Sequence, residues 1–189
     1  MSVDFAALRE TMVDSQVRTQ DVTDPSLIEA ICATPRETLV PEGKPWLAYA
    51  DVEIEYAPGR WMLRPRDAAK LLQSLAPKAG ERALAVSAPY AAAVLKNMGL
   101  DVTRLDGPDL RAVSGNWDLI VCEGAVSETP GEWISALAVG GRLGVVVRNG
   151  LVGRATIYSR SEQSLGSRTV FDATPPVLAG FEPARSFTF

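Results

Sequence analysis

Apolar positions recur along this chain with two periods, and Pro and Gly mark where one gives way to the other. Between Asp24 and Pro35, Leu27, Ile28 and Ile31 fall on one helical face, with Asp24 placed to cap the helix and Pro25 to open it. Pro65 opens a second helix in which Ala68, Leu71, Leu72 and Leu75 repeat at helical spacing, and Pro77 ends it. "ALAVS" (83–87) reads as a short buried strand. A helix from Tyr90 to Met98 follows, stopping at Gly99, and then a strand, "DVTRL" (101–105). "WDLIVCEG" (117–124) is a continuous apolar run with acidic ends, the pattern of a strand covered on both faces. Thr129-Pro130-Gly131-Glu132 has the form of a capping box and predicts a helix to about Ala138. Gly140-Gly141 should break it before the strand "RLGVVVR" (142–148). "ATIYSRS" (155–161) and "SRTVFDATPPVL" (167–178) read as a closing antiparallel pair.

Strand and helix thus alternate through the middle of the chain, which predicts an α/β fold with a mostly parallel sheet and helices on both faces. Ligands in such sheets sit at the C-terminal ends of the strands. The 189 residues suit one domain, read as a helical extension with a crossing loop (1–60) and a sheet domain (61–189) packed as a unit. Between the two, "VPEGKPWLAYADVEIEYAPGRW" (40–61) is expected to be an ordered surface loop.

Charge and composition narrow the chemistry. Net charge is -4 and no basic stripe is visible, and Trp46, Trp61, Trp117 and Trp133 form no stacking array, so nucleic acid is not an expected partner. There is no histidine, which removes the commonest general base and zinc ligand; no metal site is expected. Cys32 and Cys122 each lie in an apolar context and read as buried core residues. The N-terminal stretch is polar and no run is long enough to span a bilayer, so a soluble, cytoplasmic protein is expected, with no membrane partner.

Several segments together resemble the protein-L-isoaspartate O-methyltransferase family. They are "MVDSQV" (12–17), "VTDPSLIEAICATPRETLVPE" (22–42), "LAYADVEI" (47–54), "WDLIVCEGAV" (117–126), "LAVGGRLGVVV" (137–147) and "FDATPPVLAGF" (171–181). The resemblance covers nearly the whole chain. It implies a Rossmann-like methyltransferase fold, S-adenosyl-L-methionine as cofactor, and methyl transfer to isoaspartyl carboxylates in damaged proteins as a first step of repair.

The sequence departs from that pattern in three places. The first strand has Ala85 where an acidic residue is expected, and the turn after it is Ser87-Ala88-Pro89, without glycine. Only Asp106 to Trp117 lies between the second strand and "DLIVCEG", too few for a further strand; one short helix near Asp109–Val113 is expected, and a sheet reduced by one strand. On the substrate side, Trp61-Met62-Leu63-Arg64-Pro65 replaces a hydroxyl-bearing segment.

The remaining candidates each have two readings. Ser87 and Ala88 would border the cofactor, or only turn the chain. Asp106 could hold ribose hydroxyls, or open an Asp-Gly-Pro turn. Glu123 could present a carboxylate to the crevice for cofactor or catalysis, or face water at its strand end. Arg64 or Arg66 could pair with a substrate carboxylate. Asp51 and Tyr49 would border the substrate, or pack locally. Arg36 and Glu37 are read as a structural ion pair or a helix-end contact. Two functions follow. One is a carboxyl methyltransferase acting on a protein or peptide. The other is a non-catalytic binding or scaffold relative that pairs with itself, with a paralogue or with another protein, through apolar surface exposed near Gly107–Gly115.

Overall fold

The computed structural model describes residues 3–183. Two helices, α1 (Phe5–Met12) and α2 (Pro25–Cys32), precede a hairpin of β1 (Ile54–Ala57) and β2 (Arg60–Met62). Then come α3 (Pro65–Leu75), β3 (Arg82–Val86), α4 (Pro89–Asn97), β4 (Asp101–Leu105) and β5 (Trp117–Val126). The chain closes with α5 (Gly131–Ser135), β6 (Leu137–Arg148), β7 (Gly153–Arg160) and β8 (Leu165–Ala173). Six strands form one sheet in the order β4-β3-β5-β6-β7-β8, parallel through β6 and antiparallel beyond it. This is the α/β architecture that the alternation predicts.

The predicted helices form for the expected reasons. Asp24 accepts hydrogen bonds from the N–H groups of Ser26 and Leu27, with Pro25 at the first helical position. Pro65 and Pro89 open α3 and α4 in the same way, and Gly99 takes the left-handed conformation just past α4, at φ +84°. Along β3 and β5 the period of two splits the core. Ala83, Ala85, Leu119 and Val121 join the larger cluster, built with Met12, Leu27, Ile31, Leu71 and Leu95 of the four long helices. Leu84, Val86, Ile120 and Cys122 join a smaller one on the opposite face, built around Trp133, Leu178 and Phe181. Both faces therefore carry helix, but unequally, and the second face has only the five residues of α5.

Three local expectations change. The segment 40–61 is not merely a loop: Pro45–Tyr49 forms a 3-10 turn, and the β1–β2 hairpin runs across the boundary at 60–61. α5 ends at Ser135, where the chain passes straight into β6 at Leu137, and Thr129 does not cap it but donates its hydroxyl to Tyr158 Oη (3.0 Å). Gly140-Gly141 lies inside β6. The pairing jumps there from Trp117↔Leu137 to Leu119↔Arg142, a bulge in which Gly140 has φ +82°. A Cβ on Gly141 would sit 2.6 Å from the Trp117 carbonyl oxygen, so the chain can cross only without a side chain.

Residues 106–116 also differ from expectation. They form turns and no helix; Asp109 accepts the Arg111 N–H (2.9 Å) in a local turn. No further strand forms there, as the short connection predicts, and β4 is the sheet edge. Leu110 substitutes for a packed layer. It is buried under Trp133, whose Nε1 donates to the Leu110 carbonyl at 2.7 Å. No large hydrophobic between residues 101 and 116 is exposed, so the apolar surface expected near Gly107–Gly115 is not there.

Trp133→Ala should therefore cost about 3–5 kcal/mol. It should also release the 106–116 segment, which hydrogen exchange at Leu110–Val113 would report. Protection equal to wild type there would contradict this account of the second face.

Candidate functional site

The C-terminal ends of β3 and β5, where the fold places a ligand crevice, are covered by the protein itself. The turn from β3 into α4 is made by Ser87 at φ +46°, a left-handed conformation unusual for serine. Its N–H donates to the Leu105 carbonyl (2.9 Å), which holds β3 and β4 together past their last pair. Its hydroxyl bonds Tyr56 Oη at 2.9 Å. Ser87 and Ala88 both have no solvent exposure. Tyr56 comes from β1 and also reaches Asp106 Oδ1 at 3.5 Å. Burial pushes the Tyr56 hydroxyl up to about 12, against the lowering effect of the Ser87 hydrogen bond. Asp106 is paired with Arg104 (2.7 Å), and Arg60 of β2 donates to the Gly107 carbonyl at 3.2 Å. Ser87, Ala88 and Asp106 are thus brought to one place, and the hairpin lies over it.

A second cover comes from the C-terminal segment. Ala125 N–H donates to Pro176 O (3.0 Å), Leu178 N–H to Ala125 O (2.8 Å) and Ser127 N–H to Phe181 O (2.9 Å). Leu178 lies so close to Gly124 that a Cβ there would meet its Cδ2 at 2.6 Å. The hairpin turn touches the same segment, since Gly59 accepts the Ala179 N–H at 3.1 Å.

Glu123 faces neither a crevice nor water: it has no solvent exposure. The cause is an irregularity in β5. Between Val121↔Gly144 and Ala125↔Val146 the strand carries two extra residues against β6, and Gly124 takes φ +92°. The bulge turns Glu123 toward the first turn of α4, where Oε2 accepts the N–H groups of Tyr90 (3.1 Å) and Ala91 (3.4 Å). Burial pushes its carboxyl up to about 7 from 4.5, outweighing the opposite pull of Arg36 and the amides of Ala91, Tyr90 and Leu63. Cys122 beside it is buried, and its thiol is pushed up by that burial.

The substrate-side candidates are already paired. Arg64 holds Glu53 through Nε (3.0 Å) and Nη2 (2.7 Å) and also meets Asp67 at 3.0 Å. Arg66 pairs with Asp51 at 3.0 Å. Neither guanidinium is left for a substrate carboxylate, because the acidic run Asp51–Glu55 folds back onto them. Arg36 and Glu37 do not pair with each other. Glu37 takes Arg9 (3.3 Å) and the Tyr49 hydroxyl. Arg36 is fully buried, donates to Ala48 O (2.9 Å) and Leu63 O (2.6 Å), and lies 4.3 Å from the Tyr90 ring centroid. Sequence reasoning missed Tyr56, Arg60 and Leu178. The first two had a readable signal: "IEYAPGRW" alternates around Pro-Gly, which is hairpin chemistry.

No family model matches the chain. Protein-L-isoaspartate O-methyltransferase 1 of Rhodopseudomonas palustris (strain HaA2) is 36% identical over 104 residues, 54% of this chain and 42% of that protein. The corresponding protein of Geotalea uraniireducens (strain Rf4) is 28% identical over 172 residues, 76% of this chain and 78% of its own. A structure from Plasmodium falciparum, described as a protein-L-isoaspartate O-methyltransferase in complex with S-adenosyl-L-homocysteine, superposes with TM-score 0.72. It is 15% identical, over 94% of this chain and 99% of that one. The chain is similar in sequence to these protein-L-isoaspartate O-methyltransferases and shares its fold with the Plasmodium structure. It spans less than half the length of the Rhodopseudomonas relative. No helix among the described residues is long and apolar enough to cross a membrane.

The buried Glu123 makes stability depend on pH. Its folded carboxyl sits above its unfolded value, so its contribution is full below about 4.5 and is lost as pH rises through about 7. That difference corresponds to about 3 kcal/mol. The chain has no histidine to titrate in the same window. The groups that act on this carboxyl are the Arg36 charge and the backbone amides of Tyr90, Ala91 and Leu63. Urea unfolding of wild type and Glu123→Gln between about pH 5 and about pH 9 should show a difference that moves in favour of Gln as pH rises. A difference independent of pH would remove the titration from the account.

Proposed function

We propose that this chain is a protein-L-isoaspartate O-methyltransferase-like protein that works without its relatives' methyl donor, as a binding or scaffold module. One observation carries this reading: the turn where a cofactor would approach the backbone is buried, with Ser87 tied to Tyr56 and both Ser87 and Ala88 at no exposure. A glycine turn admits a ligand because it leaves room above the backbone. Here the Ser87 side chain is itself engaged by Tyr56 of the hairpin, which lies over the turn. S-adenosyl-L-methionine, the cofactor that the resemblance implies, does not fit these residues as they stand. The pairing of Arg64 and Arg66 with Glu53 and Asp51 supports the same reading on the substrate side.

The competing reading is a S-adenosyl-L-methionine-dependent carboxyl methyltransferase. Its relatives' names favour it, and so does the chemistry, because a carboxylate nucleophile is ionised at neutral pH and needs no histidine. It requires the β1–β2 hairpin to leave Ser87.

Calorimetric titration of the purified protein separates the two. With S-adenosyl-L-methionine and S-adenosyl-L-homocysteine the expected result is no binding at about millimolar ligand, a scale weaker than about -4 kcal/mol. An isoaspartyl peptide should acquire no methyl group. Micromolar affinity for either ligand would restore the enzyme reading.

A further inference from the structure

The second face of the sheet carries a preformed cleft. α5 has only five residues, and residues 106–116 beside it form no helix, so a gap of about 570 Å³ lies between residues 113–115 and one side of α5. Two indoles hold the loop wall of this gap in place. Trp133 Nε1 donates to the Leu110 carbonyl at 2.7 Å, and Trp117 Nε1 donates to the Ser114 carbonyl at 2.9 Å. Among the described residues the walls offer one carboxylate, the exposed Glu132, with the apolar side chains of Val113 and Ala136, and no cation.

The chain itself leads to this cleft. Phe181 already touches both walls: its ring centroid lies 5.5 Å from that of Trp133 on α5 and 4.6 Å from the guanidinium of Arg111 in the loop. The Ser127 N–H donates to the Phe181 carbonyl at 2.9 Å and fixes the chain there. The described residues end two positions later, at Pro183, and the sequence continues Ala184-Arg185-Ser186-Phe187-Thr188-Phe189. Six extended residues reach about 20 Å. Five helical residues span only about 8 Å, so that reach exceeds the length of α5. In an extended chain side chains alternate, which puts Arg185, Phe187 and Phe189 on one side. A cation and two aromatic rings thus follow directly on a residue anchored beside an acidic, partly apolar cleft.

We propose that residues 184–189 dock in this cleft, with Phe187 and Phe189 between the 113–115 wall and α5 and Arg185 toward Glu132. The chain would then supply from its own sequence part of the layer that the short 106–116 connection omits. The same segment of a second copy carries the same chemistry, but the anchor at Phe181 and the short reach from Pro183 favour the chain's own.

A spin label on residue 188 tests this. Thr188→Cys in a chain that also carries Cys32→Ala has one accessible thiol, because Cys122 is buried. A nitroxide there should broaden the amide signals of residues 113–115 and 131–135 and leave those of α1 and α2, on the opposite face, sharp. Broadening elsewhere, or none, would overturn the proposal. Mixing spin-labelled chain with isotope-enriched chain lacking the label should give no broadening; broadening in the mixture would mean docking between copies and would overturn docking within one chain. Phe187→Ser with Phe189→Ser, added to the labelled chain, should abolish the effect. Glu132→Arg should lower the ratio of docked to undocked segment by about two- to fivefold, the range of an exposed ion pair, and Arg185→Glu added to it should restore the ratio. A ratio unchanged by Glu132→Arg would remove Glu132 from the site and overturn the docking as stated. These readouts use no cofactor, so their outcome is independent of the titration that tests the proposed function.

Discussion

A helix that begins inside a protein must find acceptors for its first amides, and in this chain the acceptor is Glu123. Much of the surrounding structure follows from that requirement. The carboxyl reaches α4 only because β5 bulges, and the bulge needs Gly124 in a left-handed conformation. Gly124 in turn lets Leu178 settle against the strand, which brings the C-terminal segment alongside Ala125. The bury-and-pair logic extends to Arg36, whose two carbonyl bonds join the 3-10 turn at Ala48 to Leu63, between β2 and α3. A place that an open α/β sheet usually offers to a ligand is here an internal junction.

The second face of the sheet shows how a fold tolerates a missing layer. Residues 106–116 cannot form another strand and helix, so they lie flat and bury one leucine. Trp133 makes this sufficient. Its ring packs with Leu110 and meets Phe181 at 5.5 Å, while its N–H satisfies a loop carbonyl that would otherwise be buried unpaired. The result is a small, separate core on a sheet whose other face carries four helices.

Periodicity and punctuation made most of the scaffold legible. Asp24-Pro25, the leucine stripe of α3, Gly99 and the closing strands declare themselves through local chemistry that the tertiary structure does not override. The absent strand was legible as a distance, since residues 106–116 are simply too few. The site was legible only in outline. Ser87-Ala88-Pro89 announces a turn without glycine, but nothing local says that Tyr56, some thirty residues upstream, will cover it. Glu123 sits in an unbroken apolar run, and alternation cannot show where a strand bulges or which way an extra residue points. Gly140-Gly141 misled for the same reason. Two glycines punctuate a helix or cross a close backbone contact equally well, and the neighbour that decides, the Trp117 carbonyl, is distant in sequence. Arg64 was misread because its partners Glu53 and Asp67 lie on either side of it, and charge alone does not reveal which bases are already taken.

The two covers of the crevice are drawn from opposite parts of the chain, the hairpin at residues 54–62 and the segment at 176–181, and they meet at Gly59 and Ala179. This has a consequence in time. When the sheet's central strands have left the ribosome, one half of the roof has been synthesised and the other has not, so a growing chain lacks the second half of the cover until residues 176–181 emerge. The contact that shuts it spans more sequence than any strand pairing in the sheet, and long closures of this kind are made late. The two halves of the roof are therefore joined across a far longer stretch of sequence than the strands they cover.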